Sequence, residues 1–414
     1  MLSGTIEIPP SKSHTHRALL FALLAKGRST IQKYLDSPDS AVMLKTIQAL
    51  GAKVEASGGT LTIEGVGSAL HSPDDVINAG NSGIVLRFVG ALAALIPTYT
   101  VITGDQSIRT RRPVKPLLDA LKQLDVFAES MRGNGLAPII LRGPFRGGTC
   151  TLEGQDSQPI SALLVASSFA SKPTTIHVHS PGEKPWIDLT LHWLDFLGLP
   201  YENHDYVRYE IPGGQTIKPF TYTVPGDFSS LAFPVAAALI TQSEITIENV
   251  DRNDVQGDKK LLKALETMGA EFAEEGRTLH VKKGGPLKGH VFDINDFIDA
   301  ITILAVVGCY AEGETVMTNA SIARKKECDR IHAITTELKK MGADIEERED
   351  GLVVRGSPLK GAHLKTYHDH RMVMSLSVAA MGAEGASVIE DVECVKKTYP
   401  TFREAMQTLG AKIT

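Results

Sequence analysis

The sequence predicts an α/β protein with a symmetric architecture of six similar units. One phrase, a helix end followed by two short strands with a turn between them, recurs along the 414 residues. Its copies are roughly seventy residues apart, a period that indicates repeated supersecondary units. The six copies divide into two groups of three at a break near residue 224. The chain is also too long for one ordinary core, so two domains are expected.

Each copy of the phrase is anchored by a residue that ends a helix. A glycine at this position is a common helix stop, and the alternating polarity that follows is typical of half-buried strands. The anchors are Gly51, Asp125, Gly198, Gly269, Gly342 and Gly410. Chance recurrence of a common helix stop is the alternative, but the strands after each anchor match as well. The pattern therefore favours repetition.

The boundary between the two groups lies in the segment TYTVPGDFSSLAFPVAAALI. Pro225 and Gly226 end a strand, and Asp227 is suited to cap the apolar helix that follows. No long flexible linker or low-complexity tract is present elsewhere in the chain. We therefore place the crossing from one domain to the other near residue 224.

The composition excludes several classes of protein. Hydrophobic residues make up 43% and charged residues 22% of the chain, as in globular proteins. The net charge of −5 argues against a general nucleic-acid binder. RNA binding through RTRR and RKK is further disfavoured because few aromatic residues are available to stack on bases. The local basic clusters need a local explanation.

The cysteines and apolar segments predict a cytoplasmic protein. Residues 1–8 lack the apolar run of a signal peptide, and the longest apolar stretches are too short to span a bilayer. No CxxC pair occurs, so neither a disulfide framework nor a zinc site is indicated. The four cysteines are far apart in the sequence: Cys150, Cys309, Cys328 and Cys394.

Polar and cationic residues crowd the starts of the predicted apolar helices. Lys12 and Arg17 begin the first of them, and similar clusters precede the others. Basic residues are unfavourable at a helix N-terminus unless an anion binds there. Any one cluster could be a solvated helix end. Repetition across related units instead predicts a ligand with several negative charges.

Two carboxylates among these cations indicate an enzyme. Glu327 lies between Lys326 and Arg330, and Asp299 stands at the head of an apolar helix. Carboxylates are poor ligands for anions but can move protons once substrate charges are held. The structural alternatives are a capping role for Asp299 and an i,i+3 ion pair of Glu327 with Arg330.

Eight motifs, in order, resemble the 3-phosphoshikimate 1-carboxyvinyltransferases (5-enolpyruvylshikimate-3-phosphate synthases). They are PSKSHTHRALL, GNSGIVLR, RRPV, SQPISALL, FIDAITILA, RKKECDR, YHDHRM and KKTYP. The resemblance implies a two-domain inside-out α/β barrel built from six βαβαββ-like repeats, three per domain. It implies an N-terminal domain of residues 11–224. Residues 1–10 and 225–414 would form the C-terminal domain, with the active site in the cleft between the two.

The resemblance also implies a reaction. The carboxyvinyl group of phosphoenolpyruvate moves to the 5-hydroxyl of 3-phosphoshikimate and phosphate is released, a step of the shikimate pathway to aromatic amino acids. Asp299 would accept the proton of the attacking hydroxyl, and Glu327 would protonate the methylene carbon. No metal or organic cofactor is called for, and a monomer is expected.

Site residues are carried over from the matching motifs. The implied catalytic residues are Asp299, Glu327 and Lys12. The residues implied to contact 3-phosphoshikimate are Lys12, Ser13, Arg17, Ser157, Gln158, Asp299 and Lys326. The residues implied to hold phosphoenolpyruvate are Lys12, Gly83, Arg112, Arg330, Arg371 and Lys397.

Four positions depart from the family pattern. Asp156 and Glu183 stand where many relatives have phosphate-binding serines, so we expect the 3-phosphate to be held differently, with Lys184 as the intervening cation. Ile84 replaces the usual Thr, a change expected to alter sensitivity to the inhibitor glyphosate. Ile322 replaces a polar residue.

Two alternatives remain. The UDP-N-acetylglucosamine 1-carboxyvinyltransferases share the repeated architecture but usually carry a reactive Cys before an Arg-Pro segment, and residues 104–114 contain none. The second alternative is a non-catalytic anion-binding relative. The presence of both Asp299 and Glu327 argues against this alternative.

Overall fold

The four-stranded sheets of the protein share one strand order. The computed structural model describes all 414 residues, and they divide into two compact units, Lys12–Val224 and Met1–Ser11 with Pro225–Thr414. Each four-stranded sheet is mixed: an edge strand runs parallel to its neighbour, and the remaining pairs are antiparallel. The predicted α/β class is confirmed.

The unit Lys12–Val224 contains three such sheets. In spatial order, the strands of the first are β13 (Thr221–Thr223), β2 (Lys26–Gln32), β4 (Thr60–Val66) and β3 (Lys53–Ser57). Those of the second are β5 (Ile77–Asn78), β6 (Thr100–Thr103), β8 (Ile139–Arg142) and β7 (Phe127–Ser130). Those of the third are β9 (Gly148–Glu153), β10 (Thr174–His179), β12 (Arg208–Ile211) and β11 (Glu202–His204).

The other unit contains two four-stranded sheets and one short pair. The strands of the first sheet are β1 (Thr5–Glu7), β14 (Ile245–Glu248), β16 (Thr278–Val281) and β15 (Phe272–Glu275). Those of the second are β17 (Val291–Asp293), β18 (Glu314–Thr318), β20 (Gly351–Arg355) and β19 (Asp344–Arg348). The parallel pair consists of β21 (His363–Leu364) and β22 (Val388–Ile389). β1 brings the first residues of the chain into this unit by pairing with β14.

One set of helices is buried on nearly all sides. Their sequences are apolar around the whole circumference, a pattern that suits the centre of a core rather than its surface. All thirteen residues of α8 are buried, for example. The set comprises α1 (Lys12–Leu24), a π-helical turn Val85–Val89 leading into α3 (Gly90–Ala93), α6 (Ser157–Phe169), α8 (Phe228–Ile240), α10 (Ile301–Cys309) and α12 (His370–Gly382).

A second set of helices carries a polar face and packs beside the sheets. It comprises α2 (Pro38–Ala49), α5 (Lys115–Gln123), α7 (Lys184–Phe196), α9 (Lys260–Thr267), α11 (Arg330–Lys340) and α13 (Phe402–Thr408), with a short α4 (Gln106–Thr110) in addition. Four 3₁₀ turns, at Gly257–Lys259, Asn295–Ala300, Ser321–Lys325 and Val392–Lys397, connect elements of the unit that ends at Thr414. No helix combines the length and apolar character needed to cross a bilayer.

The anchors identified in the sequence all adopt a backbone with positive φ. The glycines among them have φ between 68° (Gly198) and 110° (Gly51), and Asp125 has φ of 60°. Asp is one of the few non-glycine residues that tolerate this left-handed region, which explains why it can replace glycine there. Each of the first five anchors is followed by an antiparallel hairpin.

A close approach of backbones fixes α1 against its sheet. A Cβ at Gly65 in β4 would lie 2.1 Å from the carbonyl oxygen of Ala22 and 2.3 Å from that of Ala25. Any side chain at this position would therefore push the helix away from the strand. The glycine sets the depth of α1, whose first turn carries Lys12, Ser13 and Arg17.

Candidate active site

Six ionisable side chains of the unit that contains α8 to α13 form one network, here called the ionic cluster. Its members are Asp299, Glu327, Arg330, Asp369, Arg371 and Lys397. They come from four separate segments of sequence and include three cations and three carboxylates. All except Asp299 are buried.

Arg330 is the centre of the ionic cluster. It begins α11, where Asp329 caps the helix by accepting the backbone N–H of His332 at 3.0 Å. Its Nε lies 2.8 Å from Asp369, its Nη1 2.7 Å from Asp299 and its Nη2 2.9 Å from Glu327. The planar guanidinium allows this because its donors point in fixed, different directions. With only 1% of the residue exposed, the cation depends on these carboxylates for its charge balance.

Asp299 lies between two arginines. Its second oxygen accepts a hydrogen bond from Arg371 Nη2 at 2.9 Å. Burial favours a higher pKa for this carboxyl, but the positive charges of Arg371, Arg330 and Lys326 outweigh it and hold the pKa well below the usual range. Asp299 is therefore ionised at neutral pH, and the neighbouring cations make it a weak base.

Glu327 is held in the same way by two cations. Its Oε2 accepts from Arg330 Nη2, and its Oε1 lies 2.7 Å from the ammonium of Lys397. Lys397 ends the 3₁₀ turn Val392–Lys397, seventy residues further along the chain. The carboxylate is buried with only 8% of the residue exposed, so its environment is dominated by these two charges.

A further carboxyl, Asp258, is buried near the ionic cluster. It lies in the turn before α9 and bonds the hydroxyl of Ser229. Burial is the largest cause that raises the pKa of Asp258 to about 7, and the negative charge of Asp299 is the second. The charge of Arg371 and the hydrogen bond from Ser229 lower this pKa. Nothing local in the sequence marks this residue.

In the unit Lys12–Val224, the first turn of α1 is fixed against α7. Arg17 donates from Nε and Nη2 to the hydroxyl of Thr190, at 3.0 and 2.8 Å, and from Nη2 to the carbonyl of Trp186 at 3.2 Å. One turn earlier, His14 Nδ1 accepts the indole N–H of Trp193 at 3.1 Å. These contacts hold Lys12 and Ser13, both half-buried, in one orientation.

Gly83 lies between two arginines of the same unit. A Cβ at this position would be 2.7 Å from a terminal nitrogen of Arg112 and 2.8 Å from Nη1 of Arg87. No side chain can be accommodated without displacing a guanidinium. Arg87 also donates to Gln158 Oε1 at 3.0 Å, so it links this turn to the start of α6.

The start of α6 carries two acidic side chains. Asp156 caps the helix by accepting the N–H of Gln158 at 3.0 Å and forms an ion pair with Arg87 at 3.0 Å. Glu183 accepts from both the N–H and the hydroxyl of Ser157, at 3.1 and 3.2 Å. Local negative charge is thus built into this helix start.

Comparison with known proteins identifies the family of the chain. Residues 1–406 match the family of EPSP synthase (3-phosphoshikimate 1-carboxyvinyltransferase). The chain belongs to the EPSP synthase family. A 3-phosphoshikimate 1-carboxyvinyltransferase of Acetivibrio thermocellus is 46% identical over 412 residues, which cover all of this chain and 97% of that protein. One of Methanocaldococcus jannaschii is 42% identical with the same coverage. The EPSP synthase structure from Acinetobacter baumannii superposes with a TM-score of 0.83 at 27% identity, covering 99% of this chain and 96% of that one.

The residues expected from the EPSP synthase family fall into groups within each unit. Asp299, Glu327, Arg330, Arg371 and Lys397 are joined by direct ion pairs, and Lys326 acts on Asp299 electrostatically. In the other unit, Gly83, Arg112, Ser157 and Gln158 are grouped around Arg87, while Lys12, Ser13 and Arg17 share the first turn of α1.

Three local expectations can be compared with the structure. Asp299 is not a helix cap, because it lies inside the 3₁₀ turn Asn295–Ala300 and its oxygens bind arginines. Glu327 does form the i,i+3 pair with Arg330. The ammonium of Lys184, the cation expected between these acids and the 3-phosphate, lies 5.2 Å from the ring centre of Tyr206, and Arg87 pairs with Asp156.

Three residues of the candidate site carry no expectation from the sequence. Asp369 caps α12 and also binds Arg330. Arg87 pairs with Asp156 and donates to Gln158. Asp258 is the third, and its pairing with Ser229 spans twenty-nine residues.

A possible metal-ligand group lies on an exposed hairpin. The side chains of Glu202, His204 and Glu210 bring three ligand atoms within 4.8 Å of one another on β11 and β12. Arg208 already pairs with Glu210 there. Exposed acidic groups of this kind commonly lie together without an ion, and none of the predicted site residues belongs to the group.

The raised pKa of Asp258 predicts a pH dependence of stability. An ordinary Asp titrates near pH ~3.9 in the unfolded chain. Between this value and about 7 the folded protein retains a proton that the unfolded chain has lost, so stability falls as pH rises through that window. Asp258→Asn should remove this decline. Urea unfolding at pH 5, 6, 7 and 8 measures it, with exposed Asp296→Asn as the control. Parallel curves for wild type and Asp258→Asn would contradict the assignment.

Proposed function

We propose that this chain transfers the carboxyvinyl group of phosphoenolpyruvate to the 5-hydroxyl of 3-phosphoshikimate and releases phosphate. The observation that carries the proposal is the ionic cluster, in which two carboxylates are held on cations that an anionic substrate can also bind. The family membership supports it over the whole chain.

The cations of the ionic cluster are suited to phosphoenolpyruvate. Arg330, Arg371 and Lys397 present donors in a buried, low-dielectric setting, where charge-assisted bonds to carboxylate or phosphate are strong. On the other unit, Arg112, Gly83 and Lys12 are proposed to serve the same substrate. Gly83 leaves room at the surface of two guanidinium groups because it has no side chain.

The acceptor is proposed to bind at two helix starts. Lys12, Ser13 and Arg17 on α1 contact the shikimate ring, and Ser157 and Gln158 on α6 lie at its 3-substituent. Lys326 and Asp299 complete this set. The first turn of α1 carries the positive end of the helix dipole, which favours anionic substituents. At the start of α6, the N–H groups of Ser157 and Gln158 bond Glu183 and Asp156.

The chemistry is an addition followed by an elimination. The oxygen of the acceptor's 5-hydroxyl bonds to C2 of phosphoenolpyruvate while Asp299 accepts the hydroxyl proton. Glu327 gives a proton to the methylene carbon. The resulting tetrahedral intermediate loses phosphate by breaking its C–O bond, and the proton held by Asp299 passes to the leaving phosphate. A proton leaves the methyl group and returns to Glu327, which restores the vinyl double bond. Anions bound to the arginines weaken the pull on the carboxylates and so make both better proton carriers.

The finer architecture is part of the same proposal. We propose two domains, each an inside-out α/β barrel of three βαβαββ copies. Residues 11–224 form one, and residues 1–10 with 225–414 form the other. What supports this division is the common strand order of the five four-stranded sheets and the two compact units of the chain.

The function is tested by phosphate release with two acceptors. Purified protein with phosphoenolpyruvate should release phosphate when 3-phosphoshikimate is added and not when UDP-N-acetylglucosamine is added. Release with the sugar nucleotide would favour the alternative transferase. No release with either acceptor would favour a non-catalytic anion-binding relative.

Glu327→Gln tests the acid role. The amide keeps the shape of the side chain and can still accept from Arg330, but it cannot donate a proton to carbon. We expect binding of both substrates to be retained and turnover to fall by about a hundredfold or more. Steady-state kinetics together with substrate titrations separate the two effects.

A matched control is Glu393→Gln, which changes an exposed glutamate paired with Lys396. It should leave turnover unchanged. If Glu327→Gln also turns over at the wild-type rate, Glu327 is not the acid.

A further inference from the structure

Glu183 occupies the donors that begin α6. Its Oε2 accepts from the N–H of Ser157 at 3.1 Å and from the hydroxyl of Ser157 at 3.2 Å. Only 1% of the residue is exposed. A helix start offers its N–H groups to anions, and here a carboxylate of the chain itself takes the position.

The backbone around Glu183 is built to keep it there. Its φ of 46° and ψ of 39° lie in the left-handed region, which is unfavourable for a residue that has a Cβ atom. The preceding loop is attached to the end of β9, because Gly182 donates to the carbonyl of Gly154 at 2.9 Å. A Cβ at Gly182 would meet the carbonyl of Gln155 at 2.8 Å. The loop therefore brings Glu183 directly onto Ser157.

The second carboxylate at this helix start is already paired with a cation. Asp156 is the cap of α6, and its charge is matched by Arg87 at 3.0 Å. Arg87 is thereby engaged with an acid of the chain, as well as with Gln158. A phosphate dianion that approaches Ser157 therefore meets the carboxylate of Glu183, and like charges in hydrogen-bond contact with the same residue repel.

A neutral substituent would meet no such repulsion. A hydroxyl can donate to Glu183 or Asp156, whereas a phosphate dianion has only acceptor oxygens for them. Glu183 therefore discriminates by charge, through a penalty on the anionic group rather than through an added contact to the neutral one.

We propose that Glu183 is a specificity-determining residue that competes with the acceptor's phosphate for Ser157. The inference rests on the proposed function, because it assumes that the 3-substituent of the acceptor lies at the start of α6. It follows that the protein discriminates between 3-phosphoshikimate and unphosphorylated shikimate less strongly than it would with a small neutral residue at position 183.

The test compares kcat/KM for 3-phosphoshikimate with kcat/KM for shikimate in the same preparation. The ratio of the two is insensitive to the fraction of folded protein. Glu183→Ser should raise the ratio by about tenfold or more, mainly through a lower KM for 3-phosphoshikimate. Glu183→Gln keeps the side chain's shape without its charge, so it should move the ratio in the same direction and covers the case in which the serine variant does not fold.

Glu153→Ser is the matched control. It removes a negative charge from the exposed end of β9, where the carboxylate accepts a hydrogen bond from the N–H of Gly154. It should leave the ratio unchanged. Turnover with an unchanged ratio in both Glu183 variants would overturn this inference and leave the proposed function in place. No turnover with either acceptor in the wild type would overturn the proposed function, and this inference with it.

Discussion

The burial of Arg330 is the constraint on which the C-terminal part of the structure depends. A guanidinium removed from water must be balanced by carboxylates at hydrogen-bond distance, because an unpaired buried charge is too costly. Asp299, Glu327 and Asp369 meet this need from three directions. The two proposed proton carriers are therefore positioned by the same bonds that balance the arginine.

In the unit Lys12–Val224, buried arginines are compensated in two different ways. Arg17 is balanced by neutral oxygens of Thr190 and Trp186, whereas Arg87 is paired with Asp156. A helix start that is left with neutral partners can still attract an anion, but one that already holds carboxylates repels it. The starts of α1 and α6 thus differ in the charge they can accept, although both begin buried apolar helices.

The sequence was most informative where the interactions are local. The helix ends at Gly51 and Asp125 follow from residue type, because few residues tolerate positive φ, and the cap at Asp227 follows from its position before an apolar helix. The ion pairs were not accessible in this way. Lys397 and Glu327 are seventy residues apart, and the pairing of Asp369 with Arg330 spans thirty-nine, so no spacing rule relates them. Recognising family motifs supplied the site residues, but not Asp258, whose role depends on tertiary burial alone.

The most direct test of this account is a double-mutant cycle on the free energy of unfolding. Arg330→Gln and Asp369→Asn, alone and together, should show a coupling energy of about 1–3 kcal/mol, because each change removes the partner that makes burial of the other charge tolerable. The exposed pair Arg355 and Asp344, at 3.2 Å, should couple much more weakly, because solvent screens both charges. Additive effects at Arg330 and Asp369 would contradict the claim that this buried pairing organises the site.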